Sequence, residues 1–242
     1  MNIYIGCSGF SYKHWKERFY PSKIPQRQWF EYYCTKFNTV ELNSTFYRLP
    51  NEKTVLSWYN RSPENFAFSV KASRFITHIK RLKDCKVELE NFFEVISPLD
   101  KKLKVILWQL PPSFKVNIEV FNNFLNMLTK YNNIKYVFEF RHKSWLTEDI
   151  YSLCNKFNIC ICIADYPEFL KNPPITANFL YVRRHGKGGR YNTLYTRQEL
   201  EDLSKFIKDN KDSISEAYIY FNNDFNAYAP QNAQELIEII NK

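Results

Sequence analysis

The sequence predicts an α/β protein: a single (β/α)8 TIM-like barrel over residues 1–242, with a closed parallel sheet and a site at its C-terminal face. Three observations carry this expectation. Eight short runs of β-branched and aromatic residues recur along the chain. Most intervals between them have helical spacing. Eight units in 242 residues average about 30 residues each, the usual size for such a barrel. A doubly wound open sheet is the competing arrangement, and eight strands reaching the C-terminal end favour closure.

The predicted strands are Ile3–Gly6, Thr39–Asn43, Phe66–Lys71, Val105–Gln109, Tyr136–Arg141, Ile159–Asp165, Phe179–His185 and Tyr218–Asn222. The predicted helices lie between them. Pro25–Phe37 sets Trp29, Phe30, Tyr33 and Phe37 on one face, and Val87–Leu103 does the same with Leu89, Phe92, Phe93, Ile96 and Leu99. Ile118–Tyr131, Leu146–Phe157, Arg197–Ile207 and Ala233–Ile240 follow the same pattern. Pro167–Ala177, which contains Pro173–Pro174, reads as loop. No linker, low-complexity segment or short repeat interrupts the alternation, so one domain is expected.

Composition excludes several classes. Five glycines rule out collagen-like and Gly-rich linker proteins, and 45% hydrophobic with 24% charged residues describes an ordinary folded chain. The opening MNIYIGCSGF has no basic n-region and no long apolar segment, so no secretion signal is expected. No apolar run approaches the ~18 residues of a membrane span. A cytoplasmic protein with no membrane partner is expected. None of the six cysteines forms a C-x-x-C pair, so buried reduced thiols are expected, with zinc or disulfides as the alternative.

The net charge of +9 is unevenly placed. Residues 1–130 carry 20 basic and 11 acidic side chains, whereas residues 131–242 carry 14 of each. Part of the surplus sits in Lys71–Lys86, KASRFITHIKRLKDCK, with six Lys/Arg, one Asp and His78.

Strand phase locates the site. Side chains alternate faces along a strand, and in a parallel barrel the helix-facing set is apolar. Sending the apolar positions outward leaves Thr39, Glu41 and Asn43 inward, then Ser69 and Lys71, Gln109, Glu139 and Arg141, Tyr181, Arg183 and His185, and Tyr218, Tyr220 and Asn222. Asp165 ends strand six. The polar members fall near the C-terminal strand ends, where barrel enzymes place their sites. Lys71, Arg141 and Arg183 balance Glu41, Glu139 and Asp165, so a self-satisfied ionic plug is the alternative to an active site. Cys7 falls on the inward phase if Ile3 and Ile5 point in, and a packing thiol is expected there.

A second loop, His185–Tyr191 (HGKGGRY), holds Gly186, Gly188 and Gly189 beside Lys187 and Arg190. Glycine lets backbone N–H groups approach an anion, and barrels often hold phosphate after strands seven and eight.

Taken in order, IGCSGFSYKHWKERFYP, FNTVELNSTFYRLP, FAFSVKASRFITHIKRL, LWQLPPSF, FEFRHKSW, YVRRHG and YFNND…NA resemble the YecE-like family, domain of unknown function 72, along nearly the whole chain. Cys7 and Phe10 stand where that family more often has Thr and Trp. The resemblance implies a fold similar to a TIM barrel and a site at these blocks; it implies no particular reaction.

The leading functional expectation is an enzyme acting on a phosphorylated or otherwise anionic small molecule. Glu41, Lys71, Glu139 and His185 are the candidate catalytic groups, with carboxylate acid/base chemistry. Asn43, His78, Gln109, Arg141, Asp165, Arg183, Gly186, Gly188, Gly189, Tyr191 and Asn222 are the candidate substrate-binding groups. No metal ligands and no cofactor are predicted, with a divalent metal left open, and the oligomeric state is not predicted. A nucleic-acid binder using the basic loop, with Phe75, Phe10, Trp15, Phe46 and Trp145 for stacking, is the alternative. A glycoside hydrolase using Glu41 and Glu139, or a non-catalytic ligand-binding barrel, are further ones.

Overall fold

The computed structural model describes residues 1–242. Its strands are β1 (Asn2–Cys7), β2 (Thr39–Leu42), β3 (Ala67–Lys71), β4 (Leu103–Gln109), β5 (Lys135–Glu139), β6 (Cys160–Ile161), β7 (Ile163–Ala164), β8 (Phe179–Arg184) and β9 (Glu216–Phe221). All pair in parallel. They form two sheets, one ordered β1-β9-β8-β7 and one ordered β2-β3-β4-β5-β6. The single closed sheet expected from the sequence is therefore resolved as two parallel ladders.

Two seams separate them, and each has a cause in the residues. Predicted strand six is one stretch of chain that serves both sheets. Cys160 and Ile161 pair with β5, Ile163 and Ala164 pair with β8, and Cys162 between them donates its N–H to the Phe138 carbonyl. At the other seam the Tyr33 hydroxyl enters the ladder. It accepts from Cys7 N–H at 2.7 Å and donates to the Thr39 carbonyl at 2.9 Å. Gly6 makes room for it, because a Cβ there would lie 2.8 Å from that hydroxyl and 2.3 Å from the Thr39 carbonyl oxygen. Beyond it, one bridge joins Ser8 to Glu41.

Helices α1 (Trp29–Cys34), α3 (Glu52–Arg61), α4 (Lys86–Ile96), α5 (Ile118–Leu128), α6 (Glu148–Lys156), α7 (Arg197–Asp209) and α8 (Tyr228–Ile240) cover the outer faces, whereas the short α2 (Ser44–Tyr47) follows β2 at the C-terminal mouth. Side-chain caps fix several starts. Asn51 accepts from Thr54 N–H, Asn117 from Val120 N–H, and Thr196 forms a capping box with Glu199. The main core of 56 buried residues lies between helices and strands, and a second cluster of 12, including Val105, Val137, Tyr181 and Tyr218, fills the space between the inward faces of both sheets. No helix is long and apolar enough to cross a membrane.

Three local differences from expectation have simple reasons. In β1, Tyr4 points inward and stacks on Tyr218 with ring centroids 4.8 Å apart, so Ile3, Ile5 and Cys7 face the helices and Cys7 is not on the inward phase. Helix α3 was not predicted, since only Val55 of its residues is buried and the apolar stripe is too thin to read. The helix expected over Val87–Leu103 ends at Ile96, where Pro98 turns the chain into a 3-10 segment, and β4 begins already at Leu103.

Candidate functional site

Arg183, on β8, is 1% exposed and reaches both sheets. Its Nε lies 3.0 Å from Glu41 Oε2, its Nη2 2.8 Å from Glu41 Oε1, and its Nη1 2.6 Å from Glu139 Oε2. The carboxylates are further held. Tyr181 donates to Glu41 Oε2 at 2.6 Å and Gln109 donates to Glu139 Oε2 at 2.9 Å. Arg141, just past β5, pairs with Glu139 Oε1. Alternation along β2, β4, β5 and β8 sends Glu41, Gln109, Glu139, Tyr181 and Arg183 inward, and Arg141 continues the phase of β5.

The electrostatics follow from burial and pairing. Burial pushes the Glu139 carboxyl up, but the charges of Arg183 and Arg141 outweigh it and hold it well below 4.5. Glu41 is lowered in the same way, burial being overcome by Arg183. Both are carboxylates at neutral pH. Burial lowers the pKa of His185, against the hydrogen bond to Glu139, so its imidazole is neutral. Its Nδ1 lies 3.2 Å from Asn222 Nδ2, and its Nε2 lies 3.2 Å from Arg141 Nη2 and 3.3 Å from Glu139 Oε1.

Above this network opens a cavity of about 650 Å³. Asn43, Lys71, His78, Gln109, Arg141, Arg183, Tyr191 and Asn222, all expected site residues, line it. Lys71 ends β3 with its ammonium 4.0 Å from the centre of the Phe46 ring. The ion pairs of the mouth run through Arg183 and Arg141, and none reaches Lys71. Burial, then the charge of Arg183, lowers its pKa to about 8. His78 packs edge-on against Phe46 and falls to about 4, through burial and then the charges of Lys71, Arg74 and Arg141.

The other expected residues stand elsewhere. Glu41, Glu139 and His185 lie beneath the cavity and are at most 1% exposed. Asp165 is turned away from the mouth. It accepts the His185 N–H at 2.8 Å and the Tyr195 hydroxyl, and so ties down the chain after β8. Gly186, Gly188 and Gly189 are not among the residues lining the cavity. The Gly186 N–H is taken by the Tyr195 hydroxyl and the Gly189 N–H by the Gly186 carbonyl. All three have positive φ, and Gly189 presses on Tyr166, so they shape a turn that delivers Tyr191 to the mouth.

Sequence reasoning did not assign Arg74, Tyr12, Tyr47, Leu110 or Asp224 to the site, and it read Pro112 only as part of the turn that displays Gln109; all of these also line the cavity. Arg74 was visible only as one of six basic residues in its loop. Of the stacking candidates, Trp15 and Trp145 are fully buried, and Trp145 donates to the Phe114 carbonyl at 2.6 Å. No three His, Cys, Asp or Glu side chains are arranged to hold a metal ion.

Residues 4–242 match the model of a family described as "Protein of unknown function DUF72". The chain belongs to the DUF72 family. This DUF72 chain is 27% identical to the UPF0759 protein YunF of Bacillus subtilis (strain 168), over 98% of its own length and 94% of the relative's. The crystal structure of a DUF72 family protein from Thermotoga maritima MSB8 superposes with a TM-score of 0.87 at 31% identity, covering 100% of both chains. A glycoside hydrolase family 5 enzyme from Prevotella bryantii B14 shares the fold alone, with a TM-score of 0.53 at 9% identity over 90% of each chain.

Proposed function

We propose that this DUF72 chain is a TIM-like barrel enzyme whose C-terminal mouth binds an anionic small molecule, phosphorylated or carboxylate-bearing. One observation carries the reading: Lys71, Arg74 and Arg141 face the cavity, while the two carboxylates of the network are buried beneath Arg183. With Arg183, four cations line the cavity against one carboxylate, Asp224, and this excess of positive charge favours an anion. Glu41 and Glu139 are too low in pKa to take protons well at neutral pH, and they serve by holding Arg183 and Arg141 in place. Asn43, Gln109, Tyr191 and Asn222 orient the ligand.

The reading takes residues 1–242 as one barrel domain. Side chains from the two sheets also meet across the interior, which supports this reading: the Thr39 and Tyr220 hydroxyls lie 2.7 Å apart and the Ser69 and Tyr181 hydroxyls 2.6 Å apart. All six cysteines are free, which fits a cytoplasmic location. The basic loop fits nucleic acid less well, because Lys80 is paired with Glu88 at 2.7 Å and Arg81 lies over Phe114.

Thermal melting with inorganic phosphate, pyrophosphate and small dicarboxylates tests this. At least one is expected to raise the melting temperature, and Arg141→Gln and Arg74→Gln are expected to remove that rise. No stabilisation by any anion, or salt-dependent binding of oligonucleotides in its place, overturns the reading.

A further inference from the structure

We propose that Lys71 is a nucleophile that forms an imine with an anionic aldehyde or ketone bound at the mouth. This rests on the anion-binding reading and names the substrate class. The geometry sets Lys71 apart from the other cations of the site. Arg183 is locked between two carboxylates, and Arg141 pairs with Glu139. The Lys71 ammonium has neither a carboxylate nor a hydrogen-bond acceptor; it lies over the Phe46 ring face, 4.0 Å from its centre, at the wall of the cavity.

A lysine amine is a strong nucleophile only when uncharged, and burial near other cations favours that form. Arg183 and Arg141 push its proton off, whereas Glu139 and Glu41 hold it, and the net result with burial is a value of about 8. His78, on the loop above, is uncharged at neutral pH and leaves that balance unchanged. At pH near 7.5 the uncharged fraction is about two hundredfold larger than for an ordinary lysine.

The step balances without a cofactor. The Lys71 nitrogen attacks the carbonyl carbon, and the two amine protons leave with the carbonyl oxygen as one water. A carbon–nitrogen double bond replaces the carbon–oxygen one. Arg141 and Arg74 hold the anionic group of the ligand while the carbonyl meets Nζ.

Pyridoxal 5′-phosphate, an anionic aldehyde, is a suitable probe, with borohydride supplying the hydride that reduces the imine to a stable secondary amine. Peptide mass spectrometry is expected to find the label at Lys71 far above every other lysine, with labelling rising through a midpoint near pH 8. Lys71→Met, checked for folding by its melting curve, is expected to lose that label. Pyridoxine 5′-phosphate, which has an alcohol for the aldehyde, separates the two claims. If it binds and is lost with Arg141→Gln, yet Lys71 is not labelled, the imine proposal falls and the anion reading stands. If neither compound binds, both fall. Labelling spread evenly over the lysines also overturns the imine.

Discussion

Arg183 and Glu41 come from opposite sheets and meet as a fork: Nε at 3.0 Å from Oε2 and Nη2 at 2.8 Å from Oε1, with both side chains at most 1% exposed. The same guanidinium reaches Glu139 at 2.6 Å. Removing it leaves two buried carboxylates without their main counter-charge. Arg183→Met is therefore expected to cost about 3–5 kcal/mol of unfolding free energy. Arg183→Lys recovers little of it, since an ammonium cannot make the fork. The triple variant Glu41→Gln/Glu139→Gln/Arg183→Met should be more stable than Arg183→Met alone. Urea unfolding measures all three, and a loss below about 1 kcal/mol for Arg183→Met is incompatible with the buried fork.

Acid weakens this lattice in a defined direction. Glu41 and Glu139 have folded-state pKa values below the 4.5 of an unpaired carboxyl, because Arg183 and Arg141 outweigh burial. On lowering the pH, the unfolded chain takes up these protons first. Their stabilisation is complete above about 4.5 and is lost as the pH falls from there through the folded values. The urea midpoint should drop below pH 4.5, and less steeply in Glu41→Gln, starting from a lower neutral-pH value. Parallel profiles for the two proteins would show that Glu41 is not the acid-sensitive group.

The Tyr33 hydroxyl is a predicted weak point of another kind. It stands between β1 and β2, accepting from Cys7 N–H and donating to the Thr39 carbonyl. Tyr33→Phe keeps the ring and strands both backbone groups in a buried place. A loss of about 1–3 kcal/mol is expected, with the amides of β1 gaining hydrogen exchange before those of β9. Unchanged exchange at Cys7 would mean that water or backbone replaces the hydroxyl without cost.

The alternation of polar and apolar residues made most of the mouth legible. Glu41, Lys71, Glu139, Arg141 and Arg183 were placed by strand phase alone, because a two-residue period leaves little freedom once one face must be apolar. What was not legible depended on partners distant in the chain. Asp165 looked like a mouth charge until Tyr195, thirty residues on, took its carboxylate. The glycines of HGKGGRY carry the signal for a tight turn, but composition cannot say that the Gly186 and Gly189 N–H groups are already bonded. Tyr4 reversed the phase of β1, because a tyrosine stacked on Tyr218 fills the interior where an isoleucine was expected.

Fork and seam together have a consequence for how this surface can vary. Arg183 joins strands that the backbone ladder leaves in separate sheets, and it does so with charges that have no water to fall back on. A single change at Arg183, Glu41 or Glu139 strands an ion; a matched pair of changes does not. The floor of the mouth is therefore expected to drift in compensated steps, while Lys71, which has no carboxylate to abandon, is free to be retuned alone.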